Sequence, residues 1–181
     1  MNKFFQLFTV VSVAFTTSWS FALPDDAEQE MLVEANSSEM FLNEGKIIYR
    51  GSDQEPARIT QGSLVISGME IIIIKENGVL QQINATGVPA HFEQQPQVNQ
   101  GTVYADGETL IFNNANQLVT VQGNASFLQD GNSIKGDLIT YNIETRRANA
   151  SSSGASNQVK MVLPPQNQPT STPVPPAESQ P

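Results

Sequence analysis

Residues 119–141 read Val-Thr-Val-Gln-Gly-Asn-Ala-Ser-Phe-Leu-Gln-Asp-Gly-Asn-Ser-Ile-Lys-Gly-Asp-Leu-Ile-Thr-Tyr. Apolar side chains alternate with polar ones in short runs, and glycines punctuate the runs. That is the period of half-buried β-strands joined by tight turns. No helical pattern of comparable clarity competes with it, so the chain is expected to be all-β.

Working outward, aligned glycines reveal two weaker copies of the same unit. Tyr49-Arg50-Gly51, Ala85-Thr86-Gly87 and Val121-Gln122-Gly123 each close a short run, and these glycines stand 36 residues apart. Beyond each comes an alanine with an apolar residue two places later: Ala57 and Ile59, Ala90 and Phe92, Ala125 and Phe127. The first copy carries the extra Ser52-Asp53-Gln54-Glu55-Pro56, read as a bulged loop. Gly62, Gly101 and Gly131 mark turns. Gly68, Gly107 and Gly136 precede the most apolar strand of each unit, with Ile71 and Ile73, Leu110 and Phe112, and Ile139 and Tyr141 following at matched spacing. Residues two apart on a strand share a face, so these six side chains are expected to form the interior. Glu76-Asn77-Gly78, Asn113 to Asn116 and Asn142 to Thr145 separate the units, with Asn and Gly suited to left-handed hairpin positions.

The strands are expected to begin at Met31 and to end with the run Gln158 to Leu163, where Val159, Met161 and Leu163 alternate with polar partners. Pro164-Pro165 then stops any pairing, because proline donates no ladder hydrogen bond. Residues 164–181 are Pro, Gln, Ser and Thr with little to bury, and read as a disordered tail. At the other end Lys3, the apolar run Phe4 to Phe15 and the small-x-small pattern Ser20-Phe21-Ala22 read as an export signal, residues 1–22, cleaved after Ala22. Its apolar core, about a dozen residues, is too short to span a bilayer. Residues 23–30 carry Asp25, Asp26, Glu28 and Glu30 and read as a solvated acidic lead-in, leaving 31–163 as one domain.

Several chemistries find no support in the residues. The 181-residue chain has no cysteine, which excludes disulfides, thiolate zinc sites and thiol nucleophiles. A net charge of -9 with nine Lys+Arg argues against a nucleic-acid partner, whose phosphates require clustered cations. His91 is the only histidine, and alternation sends it to the face opposite Ala90 and Phe92, as a surface residue. Asp106, Asp130 and Asp137 each neighbour a glycine, a placement that turn formation explains without catalysis or calcium. Neither a nucleophile with a base nor a perturbed carboxylate pair emerges, so no catalytic residue, cofactor or metal ligand is assigned.

Gly-Asn-Ala-x-Phe at Gly123 to Phe127, followed by Ile134-x-Gly-Asp-x-Ile-x-Tyr ending at Tyr141, resembles the signature of the OstA-like family. Ile59-Thr60-Gln61-Gly62 and Gly87-Val88-Pro89-Ala90-His91-Phe92 fall where that family has its earlier repeat elements. The resemblance runs from about Met31 to Leu163 and favours the family's single-domain periplasmic members. It implies an open, V-shaped antiparallel β-jelly roll built from repeated strand–turn–strand units. Its apolar interior would shelter lipid A acyl chains of lipopolysaccharide while the sugars stay outside. It also implies an LptC-like inner-membrane protein at the N-terminal edge, an LptD-like outer-membrane protein at the C-terminal edge, and head-to-tail homo-oligomers. Phe92, Phe112, Met31 and Val33 match groove-facing positions of the family. Ile71, Ile73, Leu110, Ile139 and Tyr141 join the expected lipid-binding groove by alternation and repeat.

Exposed strand edges invite association. The terminal runs, with Met31, Leu32 and Val33 at one end and Val159, Met161 and Val162 at the other, are therefore the expected docking edges, through β-augmentation. The leading reading is a non-catalytic carrier and bridge for lipopolysaccharide. The alternative is a structural or adhesive β-repeat module that associates through its edges without lipid. An exported hydrolase would require a constellation that the sequence lacks. Groove and packed core draw on the same Ile, Leu and Phe, so alternation alone leaves both open.

Overall fold

The computed structural model describes residues 26–97, 100–153 and 158–165, which leaves the leader and nearly all of the tail outside. Its strands are β1 (Leu32–Glu34), β2 (Ser37–Phe41), β3 (Lys46–Arg50), β4 (Ala57–Gln61), β5 (Leu64–Gly68), β6 (Glu70–Glu76), β7 (Val79–Gln94), β8 (Val103–Asn113), β9 (Leu118–Gln129), β10 (Asn132–Asn142), β11 (Arg147–Ser151) and β12 (Lys160–Val162). All belong to one 12-stranded sheet, and every pairing is antiparallel. Among the described residues the only helical pieces are two single 3-10 turns, Asp26–Glu28 and Leu42–Glu44.

Four long strands divide this sheet into halves. The first part of β7 pairs with β6 and its second part with β5. Likewise the second part of β10 pairs with β11 and its first part with β12. One half-sheet therefore begins at β1, β4 and β5 and ends at β12, while the other begins at β2, β3 and β6 and ends at β11. Between them the ladders slip, at Thr86/Ala90, Asp106/Thr109 and Gly136/Leu138.

These slips sit on the repeated glycines and correct one expectation. The glycines were expected to close short runs, but in the second and third units the strand passes through them and bends. The reason is space. A Cβ at Gly107 would lie 2.4 Å from Val121 Cγ1 and 3.0 Å from the Gln122 carbonyl oxygen, so only glycine lets β9 pass so closely. In the first unit the same corner does break the chain, separating β3 from β4 at Gly51 and β5 from β6 beyond Gly68. Each repeat is thus a hairpin folded across its middle.

The two-residue turns follow the expected chemistry. Asn77 and Gly78 have φ of 50° and 81°, and Asp130 and Gly131 have 50° and 78°, the paired left-handed conformations of a tight hairpin. Asp106 and Asp137 depart from the turn reading, because both lie within strands beside the crease. The lead-in departs as well. Asp26 is half-buried, and its carboxylate accepts the Ser63 N–H at 2.6 Å, the Ser63 hydroxyl at 2.7 Å and the Gln94 side-chain amide at 2.7 Å. Gln61 adds a bond to the Gln29 carbonyl at 3.0 Å, so the lead-in is tied to the domain at Asp26 and Gln29 while Glu28, Gln29 and Glu30 stay exposed.

Candidate functional site

Strand alternation aims one face of each half-sheet inward, and register carries that face from edge to edge. In the first half the opposed residues are Val33, Ile59, Ile66, Phe92, Ala105, Phe127, Ile134 and Met161, in strand order from β1 to β12. In the second half one such row runs Tyr49, Ile71, Ala85, Leu110, Val121, Ile139 and Ala150. Beside it Ile47, Ile73, Ile83, Phe112, Val119, Tyr141 and Ala148 form a second.

The two halves meet through these faces. Phe92 and Phe112 lie on opposite halves with ring centroids 6.3 Å apart, and Phe127 and Tyr141 likewise at 5.0 Å. Tilted aromatic pairs at such spacing add about 0.5–1.5 kcal/mol beyond the area they bury. No strand of one half pairs with the other across the open side, among the described residues. Across the open side the halves therefore meet through side chains rather than through strand pairing.

Every expected groove residue faces this interior. Ile71, Ile73, Phe92, Leu110, Phe112, Ile139 and Tyr141 are at most 3% exposed and belong to one cluster, with Met31 and Val33 packed against its margin. The expectation omitted Ile59, Ile66, Ile83, Val119, Val121 and Ile134, equally part of that cluster. The same alternation marked them, but only cross-strand register showed that they complete the rows.

At the open side a cavity of about 280 Å³ lies between the rims of the halves. Asp26, Gln61 and Leu64 line it from one rim, and Phe112, Asn114, Gln117 and Glu144 from the other. Phe112 is thus the member of the interior row that reaches this mouth.

The predicted edges are open on one side. Among the described residues β1 pairs only with β4, and β12 only with β10. Two further edges went unpredicted: among the same residues β2 pairs only with β3, and β11 only with β10. Their sequences, Ser-Ser-Glu-Met-Phe and Arg-Ala-Asn-Ala-Ser, carry too little apolar alternation to announce a strand. Exposed large hydrophobics gather at these ends, Leu32, Met40, Phe41 and Leu42 at one and Val159, Met161, Val162 and Leu163 at the other. Arg50 ties β2 inward, bonding Glu39 at 2.8 Å and Glu70 at 2.9 Å. Those bonds, Glu39 first, raise its pKa further above the ordinary value.

On the outer face His91 points away from Phe92, as expected. Its Nδ1 lies 2.7 Å from Asp106 Oδ1. Ser126 Oγ approaches Asp106 at 3.5 Å and not the imidazole, so the order nucleophile, base, orienter that hydroxyl activation requires is not formed. Among the described residues no group of three or more His, Asp or Glu is placed to hold a metal ion.

Residues 32–147 match the family described as LptA/(LptD N-terminal domain) LPS transport protein. The chain belongs to this family. The matched stretch covers β1 to β10 and ends at the first residue of β11. Among LptA-type relatives, the chain is 30% identical to the lipopolysaccharide export system protein LptH of Pseudomonas aeruginosa over 141 residues, 77% of this chain and 78% of that one. It is 26% identical to the lipopolysaccharide export system protein LptA of Haemophilus influenzae over 170 residues, 92% of this chain and 94% of that one. The crystal structure of P. aeruginosa LptH, the LptA-homologous periplasmic component of a lipopolysaccharide transport device, superposes with a TM-score of 0.70 at 28% identity, over 78% of this chain and all of that chain. The OstA-like kinship and the open all-β fold are therefore as the sequence foretold.

Proposed function

We propose that the protein is a periplasmic, non-catalytic carrier of lipopolysaccharide that seats lipid A acyl chains between its two half-sheets. It would bridge an LptC-like inner-membrane partner at the β1/β2 edges and an LptD-like outer-membrane partner at the β11/β12 edges, and stack head to tail with its own copies. One observation carries the reading: apolar rows cross the inner faces to the C-terminal edges, from β1 in the first half and from β3 in the second, where Met40 of β2 continues one row and Ser38 ends the other. Stacked copies would prolong those rows, and the named relatives export lipopolysaccharide. An acyl chain gains about 0.8 kcal/mol for each methylene it buries. Because side-chain contacts rather than strand pairings close the open side, a chain can enter by widening the V about its glycine crease without breaking a strand pairing.

A photo-crosslinking amino acid at Phe112, at the mouth, is expected to yield a lipopolysaccharide adduct in the periplasm, with His91 on the outer face as the silent control. No adduct at Phe112 would sink the reading. One observation favours the edge-only alternative: the interior is filled by its own side chains. That alternative predicts concentration-dependent oligomers unaffected by Phe112→Asp and no lipid binding by the wild-type chain.

A further inference from the structure

The interior contains a polar atom that the fold leaves unserved. Tyr141 is 2% exposed and sits on the inward face of β10, two residues beyond Ile139. Its ring packs against Phe127, yet its hydroxyl is buried with no partner that meets hydrogen-bond distance and angle. Burial pushes the phenol pKa up, and the neighbouring Gln129 side chain, then Arg146, pull it the other way. Those two neighbours flank the open side, Gln129 at the end of β9 and Arg146 in the turn before β11. A second unserved oxygen lies on the opposite half. Gln94, at the end of β7, is 9% exposed, and its amide nitrogen is spent on Asp26 at 2.7 Å while its Oε1 has no partner. A buried polar group without a partner destabilises the fold that contains it, and native structures contain few.

Both atoms lie where the apolar rows reach the rims, the depth at which an acyl chain seated inside would join its polar head. A phenol donates to a carbonyl, and a glutamine Oε1 accepts from a hydroxyl or an amide N–H. Resting on the carrier reading above, we propose that Tyr141 is a specificity residue whose hydroxyl donates to the ester or amide carbonyl linking an acyl chain to its head group. Gln94 Oε1 receives a hydroxyl or amide proton of the same ligand on the facing half. The site then selects acylated amphiphiles with polar groups at the acyl junction over those with bare alkyl chains.

Tyr141→Phe keeps the ring and removes only the hydroxyl. With the full chain, binding is measured for lipopolysaccharide and for a dialkyl ether amphiphile with no carbonyl or hydroxyl at its chain junction. The expected result is a loss of roughly five- to tenfold in lipopolysaccharide affinity, the worth of one hydrogen bond, with ether binding unchanged. The melting temperature should stay level or rise, since the unserved group is gone. Unchanged lipopolysaccharide affinity, equal losses for both probes, or a lowered melting temperature would each overturn the proposal while leaving the carrier reading intact. A wild-type chain that binds neither probe would overturn both.

Discussion

The inner and outer sides of the glycine crease obey opposite rules. On the inner side three alanines, Ala57, Ala90 and Ala125, follow the glycines and are all buried, each with its apolar partner two residues on. On the outer side the connection between glycine and alanine varies freely: Ser52 to Pro56 in the first unit, Val88-Pro89 in the second and Asn124 alone in the third. The longest of these closes on itself, with the Ser52 N–H bonding the Glu55 carbonyl at 2.8 Å and the Glu55 N–H bonding Ser52 Oγ at 3.0 Å. Insertions therefore escape outward while the inward register is kept. A corner in a two-layered sheet has room to vary only where water can take up the backbone groups that lose their ladder.

Substitutions on the two sides should separate by several kcal/mol. Phe92→Ala removes a ring that bridges the halves and is expected to cost about 3–5 kcal/mol in denaturant unfolding. A loss below that of a surface site would mean the interior is not packed. Gly107→Val places a branched side chain against Val121 and the β9 backbone and should cost about 1–3 kcal/mol. Asp26→Ala strips the acceptor from the Ser63 and Gln94 donors at the rim, for about 1–3 kcal/mol, and should raise amide exchange from Asp26 to Glu30. Val88→Ser, at a side chain 87% exposed on the outer bend, should stay within about 0.5 kcal/mol of the parent chain. A large effect at Val88, or a negligible one at Gly107, would erase the distinction between the sides.

Much of this was legible in the chain because it depends on short-range periodicity. Period-two alternation picked out Ile71, Ile73, Leu110, Phe112, Ile139 and Tyr141 as inward-facing, the family resemblance added Phe92, and all are buried. Asn-Gly and Asp-Gly marked the hairpins, since few other residues tolerate two left-handed conformations in succession. The outward aim of His91 followed from the same alternation.

What stayed hidden depends on which strand lies beside which. A glycine in a strand pattern reads equally as an end or a bend, and only the neighbouring strand, whose Val121 would lie 2.4 Å from any Cβ at this position, shows that Gly107 is a bend. The edge strands β2 and β11 are held by partners rather than by their own composition. Asp26 meets Ser63 and Gln94 from 37 and 68 residues away, and His91 meets Asp106 across two strands, so no local motif records either contact. By itself the sequence determined the repeat, the turns and the inward face, because those arise from backbone geometry over a few residues. Only the tertiary structure decided that the repeats fold across their middles into two facing halves, that among the described residues both halves end in strands paired on one side, and that the Tyr141 hydroxyl is buried on the inward face of β10. Those outcomes depend on long-range pairing, in which each strand's environment is supplied by another.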